Sequence, residues 1–365
     1  MVVWALAAGV SLALVTIVAE LVVRQFPELM PVHKQIMENA VHSPFNRVVA
    51  DPDVGFLEPP GLHRALQTSD YAVIHETDRN GFPNADPWPD PVSLVFLGDS
   101  FVVGYGVKLT ASFPLLISER LHLSEVNLGV AASGPERQLA VYRKFGMNLH
   151  PRHVFTWLYL TSDFDNDRHF VSWMNAGRPG NYDDYRLALA RATNSRPPSL
   201  VSYAEKSWVY GLCRNFVARL VPGPRGLPER YRFPDGSELL FGRSEIEFAM
   251  GKAEPNDAAI DQLMASLEKM RNVVVSSGST LSVVLVPSKE ELFAVPPAAT
   301  VVNRVSRARE RLEKAGFAVL DLYPAIRRAG QTHSPYFRIE GHFNEYGHRV
   351  VAENFVSWFR QMFAE

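Results

Sequence analysis

The chain has 365 residues, of which 47% are hydrophobic and 21% are charged, a profile that excludes a disordered or low-complexity protein. The 37 Lys and Arg residues nearly balance the 39 Asp and Glu residues, which excludes a broad basic surface for nucleic acid. Cys213 is the single cysteine, so the chain can form neither an intrachain disulfide nor a cysteine-based metal cluster.

The first segment is apolar. Residues 1–19 carry no charged side chain, and a helix of about 19–23 residues spans roughly 28–35 Å, enough for the core of a bilayer. No Lys or Arg precedes the run and no A-x-A cleavage pattern follows it. We therefore predict a transmembrane anchor at residues 1–24, rather than a cleaved signal peptide or a buried core helix. Arg24 and Lys34 slightly favour a cytoplasmic location for the rest of the chain.

The next segment, residues 25–90, is rich in proline. We predict a lead-in segment of short strands that packs on the main domain, with Asn80-Gly81 as the turn of a hairpin.

From residue 91 to residue 365, apolar strands alternate with amphipathic helices. The sequence predicts strands at 93–98, 126–128, 153–160, 281–286 and 317–322, and helices near 111–121, 136–147, 257–277, 301–315 and 346–363. This alternation is typical of a parallel five-stranded sheet with helices on both faces. Residues 165–255 form an insert rich in aromatic residues, Arg, Pro and Gly, and we predict a lid or a partner-binding surface there.

Two short motifs carry the chemistry. Gly98-Asp99-Ser100 follows the first strand directly, which places Ser100 at the carboxyl edge of the sheet and at the start of a helix. The tripeptide alone is weak evidence for a catalytic role, because Asp and Ser are also ordinary helix-capping residues. Near the C-terminus, Glu340 and His342 lie two residues apart in a loop, as a general base and the carboxylate that orients it require. We interpret His348 as a structural hydrogen-bond partner.

Together these residues resemble the SGNH, or GDSL-type, serine hydrolase superfamily over about residues 80–359, with the insert matched least. The segments GDSF-x-x-G-x-GV from Gly98, Asn-Leu-Gly from Asn127 and E-x-HFN-x-x-GH from Glu340 occur in the order of the family. The resemblance implies a three-layer α/β/α domain of flavodoxin-like topology with no required cofactor. It also implies that Ser100 is the nucleophile and an oxyanion donor through its N–H, that His342 is the general base, and that Glu340 takes the place of the usual Asp.

Two positions of the oxyanion hole depart from the family pattern. Ala132 stands where the family has a glycine whose N–H binds the oxyanion, and Gly134 is a second candidate donor. Ser162 stands where the family has an asparagine, and Asn166 is the candidate that compensates for it. We therefore predict an oxyanion hole formed by Ser100, Ala132 or Gly134, and Ser162, with Asn166 at the substrate.

Two further groups of charged residues lie near the same edge of the sheet. Lys289 follows the fourth strand, and we predict that it binds an anionic substrate, against the alternative of an exposed loop lysine. Asp163, Asp165 and Asp167 alternate, but the loop lacks the glycine and the glutamate of an EF-hand, so we predict no metal site.

The favoured hypothesis is a membrane-anchored serine esterase or O-acyltransferase that acts on acyl esters of an extracytoplasmic glycan. The resemblance implies this location, because relatives with one N-terminal helix are commonly extracytoplasmic, often beside a membrane-bound O-acyltransferase as partner. The alternative is a degenerate SGNH domain that binds a glycan or a protein partner without turnover. The altered oxyanion positions favour the alternative, and the complete set of Ser, His and carboxylate opposes it.

Overall fold

The computed structural model describes residues 2–30, 32, 34–36, 48–194, 207–220, 229–242, 246, 257–294 and 299–363. The strands are β1 (Val49–Asp51), β2 (Gly55–Leu57), β3 (His63–Gln67), β4 (Ala72–Glu76), β5 (Leu94–Gly98), β6 (Glu125–Gly129), β7 (His153–Leu158), β8 (Arg230–Arg232), β9 (Glu238–Leu240), β10 (Thr280–Leu285) and β11 (Ala318–Asp321). The helices are α1 (Val2–Val23), α2 (Ser100–Val103), α3 (Phe113–Leu121), α4 (Pro135–Val141), α5 (Leu160–Asn175), α6 (Tyr182–Asn194), α7 (Trp208–Leu220), α8 (Asp257–Ser276), α9 (Ala299–Lys314), α10 (Tyr323–Ala329) and α11 (Glu345–Phe363). Short 3-10 turns lie at Pro27–Leu29, Leu109–Ala111 and Met147–Leu149, and π turns at Tyr142–Gly146 and Glu290–Ala294.

A five-stranded sheet in the order β11-β10-β7-β5-β6 forms the centre of the domain, and every neighbouring pair is parallel. The strands are almost continuously apolar, and β5 is buried over its whole length, because helices cover both faces of the sheet. The predicted α/β fold with five parallel strands is confirmed. Each predicted strand end lies within two residues of the observed end.

Two apolar clusters define the layers on either side of the sheet. One contains Leu139 of α4 and Leu267 of α8. The other contains Phe113 of α3 and Phe355 of α11, whose ring lies 4.8 Å from that of Phe155 in β7. Each such buried aromatic or aliphatic side chain contributes about 1.5–3 kcal/mol to folding, so both helical layers are held by the same apolar strands.

The strand order places the site. Numbered along the chain, the five parallel strands occur in the order 2-1-3-4-5, which is the flavodoxin-like order. Between the first and the third strand the order reverses, and α/β proteins bind ligands at the carboxyl ends of the strands at this point. Ser100 follows the first of these strands, β5.

The N-terminal segment forms the helix α1, which spans 22 residues. No helix among the described residues is long and apolar enough to cross a membrane. The helical part of the prediction for residues 1–24 therefore agrees with the structure, and its transmembrane part is not supported. The Glu20 carboxylate at the end of α1 accepts a hydrogen bond of 2.8 Å from the backbone N–H of Trp208 in α7.

The lead-in segment contains two hairpins, β1/β2 and β3/β4. The hairpin predicted at Asn80-Gly81 is wrong: the chain turns there, with the Gly81 N–H donating to the Asp78 carbonyl at 3.1 Å, but no strands flank the turn between residues 77 and 93. The Asp78 carboxylate is the physical reason, because it accepts hydrogen bonds from the N–H groups of Asn80 and Phe82 and so fixes an irregular loop. Within residues 165–255, the structure describes most of α5, α6, α7 and the β8/β9 hairpin.

Candidate active site

The predicted nucleophile, Ser100, lies on a sharp turn from strand to helix. Asp99 caps the four-residue helix α2, and its carboxylate accepts a hydrogen bond of 2.9 Å from the Phe101 N–H. Gly104 ends this helix with a positive φ of 80°, a conformation that glycine adopts without strain. The two ends of α2 thereby fix Ser100 at the carboxyl edge of the sheet, as the sequence predicts.

The C-terminal loop at 336–343, here called the triad loop, brings the base to this serine. The His342 Nε2 atom lies 2.6 Å from the Ser100 Oγ atom, and the His342 Nδ1 atom lies 2.6 Å from the Glu340 Oε2 atom. The same Glu340 oxygen also accepts a hydrogen bond of 3.0 Å from the His342 backbone N–H. The three side chains predicted to form a triad are therefore in hydrogen-bond contact, although 242 positions separate Ser100 from His342.

The charges of the site support an imidazole that acts as a base. Burial by itself lowers the pKa of His342, but the adjacent Glu340 carboxylate outweighs burial, and the pKa of His342 is raised above its ordinary value. Burial alone would raise the pKa of Glu340. The contacts with His342 outweigh burial, so the pKa of Glu340 is lowered and its carboxylate stays ionised. Burial raises the pKa of Asp99 to about 6, with the nearby His342 acting in the opposite direction.

Aromatic rings fix the plane of the imidazole. The ring centre of Phe101 lies 4.8 Å from that of His342, and Tyr105 approaches His342 edge-on at 5.9 Å. Tyr105 is held in turn by a short hydrogen bond from its hydroxyl to the Glu58 carboxylate. The other predicted histidine, His348, accepts a hydrogen bond of 3.0 Å from the Phe113 N–H, and burial lowers its pKa to about 3. Its predicted structural role is confirmed.

The residues predicted to form the oxyanion side of the site lie in two segments. Ala132 lines the same cleft as Ser100 and has a positive φ of 54°, a left-handed conformation that costs an alanine roughly 1–2 kcal/mol. Gly134 has a φ of −98° and packs on α5, where an added Cβ would lie 2.6 Å from the Asp167 nitrogen. Of the two candidate donors after β6, the structure therefore places Ala132 at the cleft and gives Gly134 a packing role.

The third predicted donor position lies at the start of α5. Ser162 and Asn166 both line the cleft, and the Asn166 amide donates a hydrogen bond of 3.3 Å to the Ser162 hydroxyl. They occupy the first turns of a 16-residue helix, whose N-terminal end carries a partial positive charge that favours an oxyanion. The cleft has a volume of about 330 Å³, and the side chain of Arg186 from α6 completes its wall.

Lys289 differs from its prediction. Its side chain is 2% exposed and does not line the cleft. Its ammonium group instead donates a short hydrogen bond to the Ile339 carbonyl and one of 3.4 Å to the Glu340 carbonyl. The residue follows β10 as expected, but the triad loop covers it, so it contacts protein backbone and not substrate.

Sequence reasoning missed Arg137, which supports the oxyanion side. The guanidinium group is fully buried and donates to the carbonyls of Ala131 and Ala132 at 2.7 and 3.2 Å. It also donates to the carbonyls of Val54 and Phe56 in the lead-in segment at 2.7 and 2.6 Å. Arg137 lies in the helix predicted at 136–147, between Glu136 and Gln138, and this local pattern is that of an exposed charged residue. The lead-in carbonyls carry no signal, because any residue supplies a carbonyl.

The sequence comparisons agree with this geometry. Residues 240–362 match a family model described as the SGNH hydrolase-like domain of the acetyltransferase AlgX. The matched stretch contains Glu340 and His342, whereas Ser100 lies outside it. None of the curated proteins compared matches the chain significantly.

Several solved structures are similar over most of the chain. A member of the lipolytic G-D-S-L family from Veillonella parvula is 11% identical, with 75% of this chain and 99% of that chain covered and a TM-score of 0.38. The acetyl xylan esterase AlAXEase is 11% identical, with 73% and 98% covered and a TM-score of 0.38. A GDSL-like lipase from Bacteroides thetaiotaomicron is 11% identical, with 76% and 92% covered and a TM-score of 0.36. These TM-scores are low, so the assignment depends on the family match and the site.

Residues 240–362 therefore match an SGNH hydrolase-like domain, and the contacts among Ser100, His342 and Glu340 are those that a serine hydrolase or acyltransferase requires. The predicted superfamily and the predicted enzyme class are confirmed.

Proposed function

We propose that the chain transfers a small acyl group from an ester through a covalent intermediate on Ser100. The observation that carries this proposal is the continuous hydrogen-bonded arrangement of Ser100, His342 and Glu340 at the wall of an open cleft. In the first step the Ser100 Oγ atom attacks the acyl carbonyl carbon while His342 Nε2 takes its proton. The bond to the alcohol oxygen then breaks, and His342 returns the proton to that oxygen.

The second half of the cycle distinguishes an esterase from a transferase. If water attacks the acyl-serine, the products are a free acid and Ser100. If a sugar hydroxyl attacks, a new ester forms on the acceptor. In both cases the Ser100 N–H, the Ala132 N–H and the polar groups of Ser162 and Asn166 are the donors available to the oxyanion.

The size of the cleft favours a short acyl group. A volume of about 330 Å³ is at the lower end of the range of about 300–1,000 Å³ for small-molecule sites. We expect p-nitrophenyl acetate to be cleaved faster than p-nitrophenyl octanoate. The matched family carries the name of an acetyltransferase, which supports acetyl as the group transferred, with a glycan hydroxyl as the source or the acceptor.

We further propose that the enzyme works at a membrane, on an extracytoplasmic glycan, beside a membrane-bound O-acyltransferase as partner. The support is the apolar surface of α1, where Leu14, Val15, Val18 and Leu21 are each more than half exposed. A surface of this kind favours contact with lipid or with an apolar partner helix. Deletion of residues 2–19 should release the protein from the membrane fraction of carbonate-washed cells. Recovery of the full chain in the soluble fraction of unwashed cells would contradict this proposal, and its release by carbonate alone would show a peripheral attachment.

A fluorophosphonate probe tests the catalytic proposal without knowledge of the substrate, because it labels only an activated serine. We expect the wild-type protein to be labelled and the Ser100→Ala variant to remain unlabelled. Ser118→Ala is a matched control, since the Ser118 hydroxyl donates to the Leu123 carbonyl away from the cleft, and it should label like the wild type. Absence of labelling in the folded wild-type protein would favour the second candidate, a binding domain without turnover, which Ser162 at the expected asparagine position also favours.

A further inference from the structure

The triad loop holds an acid with more freedom than the aspartate usual in this superfamily. A glutamate has one more rotatable bond than an aspartate, so more conformational freedom must be lost to fix its carboxylate. Within the loop, the bridge between Tyr336 and Phe343 and the hydrogen bond from the Phe337 N–H to the His342 carbonyl at 3.1 Å fix the two ends. Neither contact involves the backbone N–H or carbonyl of Glu340, whose hydrogen-bond partners come from outside the loop.

Asp70 supplies the first external contact. Its Oδ2 atom accepts hydrogen bonds from the backbone N–H groups of both Ile339 and Glu340, at 2.9 and 2.6 Å. A carboxylate that accepts two N–H groups makes the charge-assisted type of hydrogen bond, which is stronger than a neutral one. Asp70 lies in the turn of the β3/β4 hairpin, where Thr68 Oγ1 accepts a hydrogen bond from the Asp70 N–H at 3.1 Å.

The β3/β4 hairpin also makes apolar contact with the triad loop. Tyr71, the neighbour of Asp70, packs its ring at 5.0 Å from that of Phe337, and this pair is part of a small cluster with Leu66 and Val73. The hairpin is therefore docked on the loop by packing, and the carboxylate of Asp70 is delivered to a defined point on the loop backbone.

Lys289 supplies the second external contact. Its ammonium group donates to the carbonyls of Ile339 and Glu340, the same two residues whose N–H groups Asp70 accepts. The N–H group of each residue therefore donates to the Asp70 carboxylate, and the carbonyl of each residue accepts from the Lys289 ammonium group. The two side chains come from parts of the sequence more than 200 positions apart, and neither lines the catalytic cleft.

We propose that Asp70 and Lys289 are positioning residues that clamp the backbone of Ile339 and Glu340, so that the Glu340 carboxylate stays against His342. The lead-in segment thereby becomes a part of the catalytic machinery. This inference rests on the proposed function, because it assigns to the clamp a role in the rate of acyl transfer. Neither residue lines the cleft, so the clamp acts by positioning Glu340, and the Lys289 charge in addition lowers the pKa of His342 directly.

The first test compares Asp70→Ala with Asp70→Asn, using p-nitrophenyl acetate as the probe. Small misplacements of a catalytic group cost up to about 10²-fold in rate, so we expect Asp70→Ala to lower kcat about 10- to 100-fold with KM within about 2-fold. Asp70→Asn keeps an oxygen acceptor of the same shape and should retain more activity. Asp53→Asn is the matched control, since Asp53 lies in the same segment but forms exposed ion pairs with Lys144 and Arg178. It should behave like the wild type.

The second test is a double-mutant cycle with Glu340→Gln. If Asp70 acts through Glu340, the combination of Asp70→Ala and Glu340→Gln should be no slower than Glu340→Gln alone. Multiplication of the two losses, or a loss confined to KM, would overturn the proposal. If Asp70→Ala fails to fold, Asp70→Asn and Lys289→Met are taken through the same cycle, with the same expected non-additivity.

An NMR titration of the His342 ring separates this proposal from the proposed function, because it needs no turnover. The Asp70→Ala exchange should lower the His342 pKa, since Glu340 is then less firmly held against the ring. If the fluorophosphonate probe does not label the wild-type protein but Asp70→Ala still lowers the His342 pKa, the catalytic function is rejected and the clamp is kept. A labelled wild type in which Asp70→Ala changes neither kcat nor the titration would reject the clamp alone.

Discussion

The two walls of the cleft are built on different principles. The triad wall consists of side chains of fixed chemistry, a hydroxyl, an imidazole and a carboxylate, with Ser100 and Glu340 each 2.6 Å from a nitrogen of His342. On the oxyanion wall, two positions differ from the family pattern, yet Ala132 still lines the cleft in the left-handed backbone conformation. Proton transfer requires a particular side chain, whereas a backbone N–H can be supplied by any residue except proline if the chain adopts the required φ. The comparison explains why the oxyanion wall accepts a different residue at position 132, whereas the change from the usual Asp to Glu340 on the triad wall keeps a carboxylate.

Both walls nevertheless depend on the lead-in segment. On the triad wall, Asp70 accepts a hydrogen bond from the backbone N–H of Glu340. On the oxyanion wall, Arg137 donates to the carbonyls of Val54 and Phe56 in the lead-in segment and to those of Ala131 and Ala132. A segment that precedes the catalytic domain in sequence therefore supports both halves of its site.

The largest effect is expected at Arg137, which links the Ala131–Ala132 part of the oxyanion wall to the lead-in segment. Arg137→Met keeps an apolar side chain of similar length but leaves four carbonyl oxygens without their charged donor. Each buried acceptor left unsatisfied costs about 1–3 kcal/mol, and partial relaxation reduces the sum. We expect unfolding in urea to show a loss of about 3–5 kcal/mol.

Arg178→Met is the control for this comparison, because Arg178 also donates to a lead-in carbonyl, that of Pro52, but is exposed. It should change stability by less than about 1 kcal/mol. Equal losses for the two arginine variants would show that the buried network at Ala132 has no special importance.

The next effect tests the triad wall. Glu340→Gln keeps the size of the side chain but lets an amide donate to the imidazole, which favours the wrong tautomer. We expect kcat to fall about 10²–10³-fold with little change in KM. Glu340→Asp should retain more activity, because it keeps the charge. If Glu340→Gln is as active as wild type on an ester that Ser100→Ala cannot cleave, Glu340 is not the third member of the triad.

Glu340→Gln is also expected to shift the pH dependence of kcat/KM in a defined direction. His342 must be neutral to accept a proton, so kcat/KM falls as the pH drops through the His342 pKa. Because Glu340 raises that pKa against the effect of burial, the wild-type acid limb should lie above the usual value of about 6.5. Removal of the charge in Glu340→Gln should move the limb to lower pH. A limb that stays in place would mean that another group controls it.

The fold and the triad could be predicted from the sequence because their signals are local. Apolar runs such as that of β5 mark buried parallel strands, and Ser100, Glu340 and His342 lie in short motifs. Supporting contacts could not be predicted, since Asp70 meets Glu340 across 270 positions and no local pattern records that pairing. The position of Lys289 after β10 could be predicted from the sequence. Its burial could not, because that depends on contacts with the distant triad loop.

A smaller effect is expected at the substituted asparagine position. Asn166 lines the cleft and donates to the Ser162 hydroxyl. Loss of a complete oxyanion donor costs about 10²–10³-fold, and an amide shared with Ser162 should count for less. Asn166→Ala should therefore lower kcat about 10- to 100-fold in the acetate assay. Asn175→Ala, an exposed position at the end of the same helix, should leave kcat unchanged. An unchanged rate in Asn166→Ala would leave Ser162 as the donor from α5.

The smallest effect concerns the strain at Ala132. Its φ of 54° costs an alanine roughly 1–2 kcal/mol, whereas glycine adopts this conformation freely. Ala132→Gly removes that strain, but it also gives the unfolded chain about 0.4–1 kcal/mol of additional conformational entropy. We therefore expect a net gain in unfolding free energy of about 0.5–1 kcal/mol, measured in urea, with kcat within about 3-fold because the backbone N–H is kept. Ala131→Gly is the control, since Ala131 has no positive φ and should lose stability. A loss at both positions would show that the cleft does not hold Ala132 in the left-handed conformation, and the N–H assigned to the oxyanion would then have to come from elsewhere.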